Sequence, residues 1–228
     1  MSLEPTIVSV CIGQPAPLVS KPTVLSGIVK RPVAGPIEVG YANLAGDGQA
    51  DLSVHGGRDK AVYVYSNDHY PHWRDVLGHE LAPAQFGENL TVSGMREADV
   101  IIGARYRVGS AIVVVAQPRL PCFKLGIHLS DERFPGQFLQ SGRLGFYLRV
   151  EQVGVLEVGD RFELLEAPAD GFSITRLWQL AFIEPCEGEN CMLTQRALTE
   201  LLYLDEGWQR RLRGKLRSGN CAPEEIAL

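Results

Sequence analysis

The 228-residue chain is 45% hydrophobic and 21% charged, a balance that supports a sizeable buried core and leaves no stretch reading as disordered. Its formal net charge of −5 argues against wholesale binding to nucleic acid or anionic membranes, so an anion site has to be a local basic patch. Five scattered cysteines, odd in number, do not read as a disulfide framework and fit a reducing compartment.

At the start, Met1 to Pro5 carries an acid and a proline where a secretion signal would carry positive charge, so it is kept as mature chain. The most apolar segment, Val108 to Ala116, is far below the ~20 residues of a membrane-crossing helix. The expectation is a soluble, cytoplasmic protein. Residues 6 to 12 alternate and β-branch as a first strand, with Cys11 in the core, and Gly13 to Pro17 ends them. Extended pieces follow at 23 to 30 and 37 to 39, around the turn Arg31 to Pro36. Gly46 to Asp51 is turn chemistry, and His55-Gly56-Gly57-Arg58-Asp59-Lys60 is a loop whose glycines allow close backbone approach to a ligand.

Ala61 to Tyr65 is another strand, after which Ser66-Asn67-Asp68 can cap a short helix carrying Tyr70 and Trp73. Phe86 to Val92 returns to a strand, and Ile101 to Gly103 with Tyr106 to Gly109 suggests a hairpin. Residues 111 to 116 then read as a buried β-branched strand, with the last strands at 146 to 150 and 161 to 165. Many short strands with Gly and Pro turns predict a mainly β, barrel-like domain over residues 1–170. From Ser173 onward the apolar spacing is helical, and a small three-helix unit is expected over 171–228. Within it, Arg210, Arg211, Arg213, Lys215 and Arg217 suit an acidic partner, although a solvated helix face is the plainer reading.

Cys122 draws attention because it lies just past the end of the 111 to 116 strand, after Pro118, between Arg119 and Lys124. Neighbouring cations favour the thiolate, which attacks electrophiles and binds soft metals. The competing reading is a packed core cysteine. Other constellations are weaker. Gly46 to Asp51 lacks the 12-residue calcium pattern. Cys186 and Cys191 have iron-sulfur spacing, but the next ligand position is Thr194. Zinc through Cys186, Cys191 and Cys221 lacks a fourth ligand nearby, and no G-x-S-x-G elbow is present. The His55 to Lys60 loop suits an anion but matches neither a P-loop nor a dinucleotide fingerprint.

Five co-linear blocks carry a resemblance. Gly46-Asp47-Gly48-Gln49-Ala50-Asp51, His55-Gly56-Gly57 with Lys60-Ala61-Val62, Phe86-Gly87-Glu88-Asn89-Leu90, Gln117-Pro118-Arg119 with Pro121-Cys122-Phe123-Lys124-Leu125, and Ser141-Gly142-Arg143 with Gly145 to Val150 resemble the successive motifs of MOSC domains, the C-terminal domain type of molybdenum-cofactor sulfurases. The match is strongest to the YiiM-like branch, whose members append three helices. The resemblance implies a barrel-like domain binding molybdenum cofactor, with Cys122 as thiolate ligand to the metal. It gives Arg58, Lys60 and Arg119 a task as anion-holding groups, with Lys30, Arg31 and Lys124 as lesser candidates. Asp51, His55, Gly56, Gly57, Glu88 and Asn89 match motif positions and are expected to line the site.

Relatives of this branch reduce N-hydroxylated compounds such as 6-N-hydroxylaminopurine, which implies an oxidoreductase with His55 or Glu88 as proton donor. The chain has no nucleotide fingerprint and no iron-sulfur motif, so electrons are expected from an external flavin or iron-sulfur reductase. The related sulfurases hold pyridoxal phosphate in a separate domain that this chain is too short to include. The alternative is a non-redox protein that uses the same cysteine to carry molybdenum cofactor or sulfur.

Overall fold

A computed structural model describes residues 4–20, 22–50 and 56–219. The strands within them are β1 (Thr6–Ile12), β2 (Ala16–Leu18), β3 (Val24–Ser26), β4 (Arg31–Pro32), β5 (Ile37–Val39), β6 (Val62–Ser66), β7 (Leu90–Ser93), β8 (Arg105–Val108), β9 (Ala111–Pro118), β10 (Phe146–Gln152), β11 (Gly154–Leu156) and β12 (Glu163–Glu166). The α-helices are α1 (Tyr70–Leu77), α2 (Phe123–Leu129), α3 (Phe134–Ser141), α4 (Ile174–Trp178), α5 (Glu189–Glu200) and α6 (Glu206–Ser218). None of the described helices is long and apolar enough to cross a membrane.

Eight strands form one curled sheet in the order β12-β8-β9-β10-β6-β7-β1-β4, antiparallel except for the β6/β7 pair. Strand β9 is an unbroken apolar run because it lies inside the sheet, with all but Ile112 of its side chains buried. Strand β10 alternates instead: Phe146, Leu148 and Val150 are buried, while Tyr147 and Arg149 point to the opposite face and are only half-buried. At the far side, Ile7 N donates to Asp160 O at 2.9 Å and Gly159 N to Ile7 O at 2.9 Å. The first strand thus meets the segment entering β12, which nearly closes the curl. The mainly β, barrel-like expectation is met.

Two details differ from the sequence reading. Ile101 to Gly103 does not pair with β8, because Ile102 N donates to Phe172 O at 2.9 Å; β8 pairs with β9. The stretch after Cys122, to which the sequence reading assigned no helix, holds α2 and α3. Gly126, Pro135 and Gly136 weaken its helical signal, although Pro135 sits in the first turn, where no amide hydrogen is needed.

One apolar core runs through both sheet and helices. Trp73 of α1 stacks on Phe138 of α3 with centroids 5.4 Å apart, beside Tyr65, Phe86 and Phe134. Ile174, Leu177, Leu180, Trp208 and Leu212 belong to the same core. Ser173 Oγ and Asp205 Oδ1 cap α4 and α6, accepting from Arg176 N at 3.0 Å and Trp208 N at 2.9 Å.

Candidate functional site

Strand β9 carries the chain to one end of the sheet, where Arg119 N donates to Gly145 O at 3.2 Å and Cys122 stands in extended geometry as the residue before α2. Two contacts from the helical region hold this delivery. Trp208 Nε1 donates to Pro118 O at 2.9 Å, and Asp205 N to Gln117 Oε1 at 3.0 Å. Cys122 is partly exposed, is not disulfide-bonded, and lies on the wall of a cavity. Among the described residues, the charged groups of that wall are Lys30, Lys60, Arg119 and Lys124 against one carboxylate, Asp47. The cavity is about 100 Å³ in volume, and Gln49 and Ala50 also line it.

The cations are anchored differently. Arg119 is 6% exposed, donates from Nη1 to Phe86 O at 2.5 Å and Tyr63 Oη at 3.1 Å, and lies 4.7 Å over the Tyr63 ring. Burial by itself disfavours its charge, but Tyr63, Tyr147 and Cys122 outweigh that and raise its pKa further above the ordinary guanidinium value. Lys60 pairs with Asp205 at 2.5 Å, linking the cavity to the start of α6. Lys30 pairs with Asp47; burial lowers its pKa, and the carboxylate partly offsets that.

Asp47 is itself held by Gly13 N at 2.8 Å and Asn89 Nδ2 at 2.9 Å. Asn89 also accepts from Tyr63 N at 3.1 Å and donates to Cys11 O at 3.2 Å, so one amide ties β1, the Asp47 turn and β6 together. Buried, unpaired polar groups are costly, and here each partner is supplied by a different segment of chain.

The structure therefore brings Cys122, Lys60, Arg119 and Asn89 of the sequence candidates onto one cavity. Lys30 and Lys124 join them, while Arg31 is exposed on the edge strand β4. Arg58 is also exposed and lies 4.7 Å over the Tyr41 ring instead of on the cavity wall. Gly56 and Gly57 precede the turn at 58–60, with Gly57 O accepting from Lys60 N at 3.1 Å. Glu88 is fully buried and does not reach the cavity; its carboxylate accepts from Phe86 N at 3.1 Å, Thr91 Oγ1 at 3.2 Å and the Tyr70 hydroxyl. Asp51 and His55 lie outside the described residues.

Asp47, Tyr63 and Tyr147 line the site without having been singled out. Tyr147 was legible in the alternation of β10. Nothing local marks Asp47, whose role depends on residues 17 and 42 positions away.

The MOSC domain pattern matches residues 51–163. Over 205 residues, 90% of the chain, it is 38% identical to the uncharacterized protein YflK of Bacillus subtilis and spans 91% of that relative. The crystal structure of YiiM from Geobacillus stearothermophilus superposes with a TM-score of 0.75 at 30% identity, covering 93% of this chain and 99% of that one. The chain belongs to the MOSC family, in its YiiM-like branch. Its MOSC match takes in the cysteine, the Arg119 anchor and β10, which form one side of the cavity; the lining from Ser26 to Ala50 precedes the match. A protein of Gibberella moniliformis named as a reductase is 35% identical over 155 residues, 66% of this MOSC chain but only 28% of that protein.

Proposed function

We propose that this MOSC protein is a molybdenum-cofactor-dependent reductase of N-hydroxylated compounds, 6-N-hydroxylaminopurine among them. Cys122 is the thiolate ligand to the metal, and an external flavin or iron-sulfur reductase supplies electrons. The observation that carries the reading is the Cys122 sulfur on a wall whose charges, among the described residues, are four cations and one carboxylate. A soft sulfur donor suits molybdenum, and ammonium and guanidinium groups suit the phosphate and dithiolene of its pterin. The residues present fit that group: Cys122 would hold the metal, and Lys30, Lys60, Arg119 and Lys124 its anionic pterin. The reductase-named relative supports the redox class.

Bound here, the cofactor would supply the two-electron reduction by which R–NH–OH, two electrons and two protons become R–NH2 and water. The chain's own contributions follow from its anchors. Arg119, fixed by Phe86 and Tyr63, and Lys60, fixed by Asp205, hold anionic groups without having to reorganise. Asn89 and Asp47 position the Lys30 ammonium. Tyr63, Leu120 and Tyr147 exclude water from the wall beside the sulfur. Glu88 is walled off by Tyr70 and Thr91; the proton donor proposed in its place is His55, which lies outside the described residues.

The test is molybdenum and pterin content per chain for wild type and Cys122→Ser, both purified from a host that makes the cofactor. Near-stoichiometric metal in the wild type, lost in the variant together with N-hydroxylaminopurine reduction, is the expected result. Equal metal in both would move the ligand away from Cys122. Metal without turnover, given a chemical electron donor, would favour the carrier alternative.

A further inference from the structure

Helix α6 carries a dense row of cations. Its 13 residues hold five cations and one carboxylate, in a protein whose formal net charge is −5. The cations divide by task. Arg211 donates to Ala181 O at 3.0 Å and Lys215 to Glu184 O at 2.7 Å, fastening the helix to the wide turn that continues α4. Arg210, Arg213 and Arg217 are exposed and, at spacings of three and four, share one face. That face borders a concavity of about 300 Å³ that includes Glu206 and Gln209.

The same helix reaches the cavity at its other end. A Cβ on Gly207 would lie 3.1 Å from Leu120 Cδ1, and Leu120 lines the cavity two residues before Cys122. Trp208 and Asp205 bond the strand end that delivers the cysteine, and Asp205 pairs with Lys60 on the cavity wall. A protein held on the arginine face therefore abuts an element in direct contact with the proposed metal site, and electron transfer requires short separation.

We propose that the Arg210, Arg213 and Arg217 face of α6 is the docking surface for an acidic electron-carrier protein, of the flavin or iron-sulfur class, that reduces the site at Cys122. This rests on the reductase reading. A dense local patch of positive charge on an acidic protein orients an acidic carrier, which raises the encounter rate and makes it salt-sensitive.

The experiment uses cofactor-loaded wild type and the triple variant Arg210→Glu, Arg213→Glu, Arg217→Glu, with 6-N-hydroxylaminopurine as substrate. Electrons come from dithionite-reduced methyl viologen, or from a plant-type ferredoxin or a flavodoxin kept reduced by an NADPH-dependent reductase. Expected are equal viologen rates in both proteins, and a carrier-dependent kcat/KM at least ten-fold lower in the variant. The wild-type carrier rate should also fall steeply with salt and the variant's should not. Equal carrier rates, or viologen turnover with neither carrier able to replace it, overturns the docking surface while leaving the reductase standing. Duplex DNA binding that the variant abolishes, with carrier rates unchanged, also overturns it. No viologen turnover in the wild type sinks the reductase reading itself.

Discussion

At Glu88 a carboxyl is enclosed on every side, one residue from the cavity wall at Gly87 and Asn89. Burial raises its pKa, although Tyr70, Thr91 and backbone amides donate to it and partly oppose the shift. A carboxyl raised in the folded state holds its proton more tightly there than in the unfolded chain. Its contribution to stability is therefore full below the ordinary value of 4.5 and is lost as pH rises through the raised value. Glu88→Gln keeps an acceptor for Tyr70 and cannot titrate. Urea unfolding of both proteins should show the variant gaining on the wild type as pH climbs from 4.5, by at most about 1.4 kcal/mol per pH unit. A stability difference independent of pH would mean that Glu88 does not titrate differently on folding. The sequence marked Glu88 through its motif, yet motif position could not tell a cavity-facing carboxylate from one buried behind the wall.

Among the elements, the join between α3 and β10 tolerates little change. Gly145 has φ of +66°, and a Cβ there would lie 2.4 Å from Val64 O and 2.8 Å from the Tyr63 ring. Gly142, φ +69°, would meet only the Trp178 side chain, at 2.9 Å. A backbone oxygen inside a sheet cannot move aside as a ring can. Gly145→Ala should therefore lose roughly 2–4 kcal/mol and Gly142→Ala roughly 1–2 kcal/mol in urea unfolding. Gly145→Ala should also release cofactor, because Gly145 O holds Arg119 N. Equal losses at the two positions would defeat the backbone argument. Strands such as β1, β6, β9 and β10 were legible because β-branched runs and period-two alternation survive in any context. Helix α2 was not, since its seven residues offer less than two turns of period and include Gly126. Of the short strands, β3 and β5 fall in the extended pieces read at 23 to 30 and 37 to 39, while β2 and β4 overlap segments read as turns and take their form from pairing with β3 and β1.

At the scale of the molecule, sheet and helices share one interior. Ile174, Leu177, Leu180, Trp208 and Leu212 are each at most 1% exposed, and α6 bonds both Gln117 and Pro118. A chain ending at residue 170, where composition changes, would expose that interior and free the segment before Cys122. Such a fragment should lose near-UV circular dichroism and cofactor together; a cooperatively folding fragment with bound molybdenum would show that the helices are dispensable to the site. The three helices were plain from their spacing. That they brace the cysteine was not, because Trp208 and Pro118 are 90 residues apart.

The pairing of Ile7 with Gly159 and Asp160 sets an order of events in the cell. During synthesis the first strand must wait, unpaired at that end, until some 150 further residues have left the ribosome, and contacts of such long range form slowly. The cysteine's brace waits longer still, for Trp208. A nascent chain thus has no finished cavity to offer, and under the proposed function cofactor loading is a post-translational event, exposed to whatever competes for a thiol in the interval.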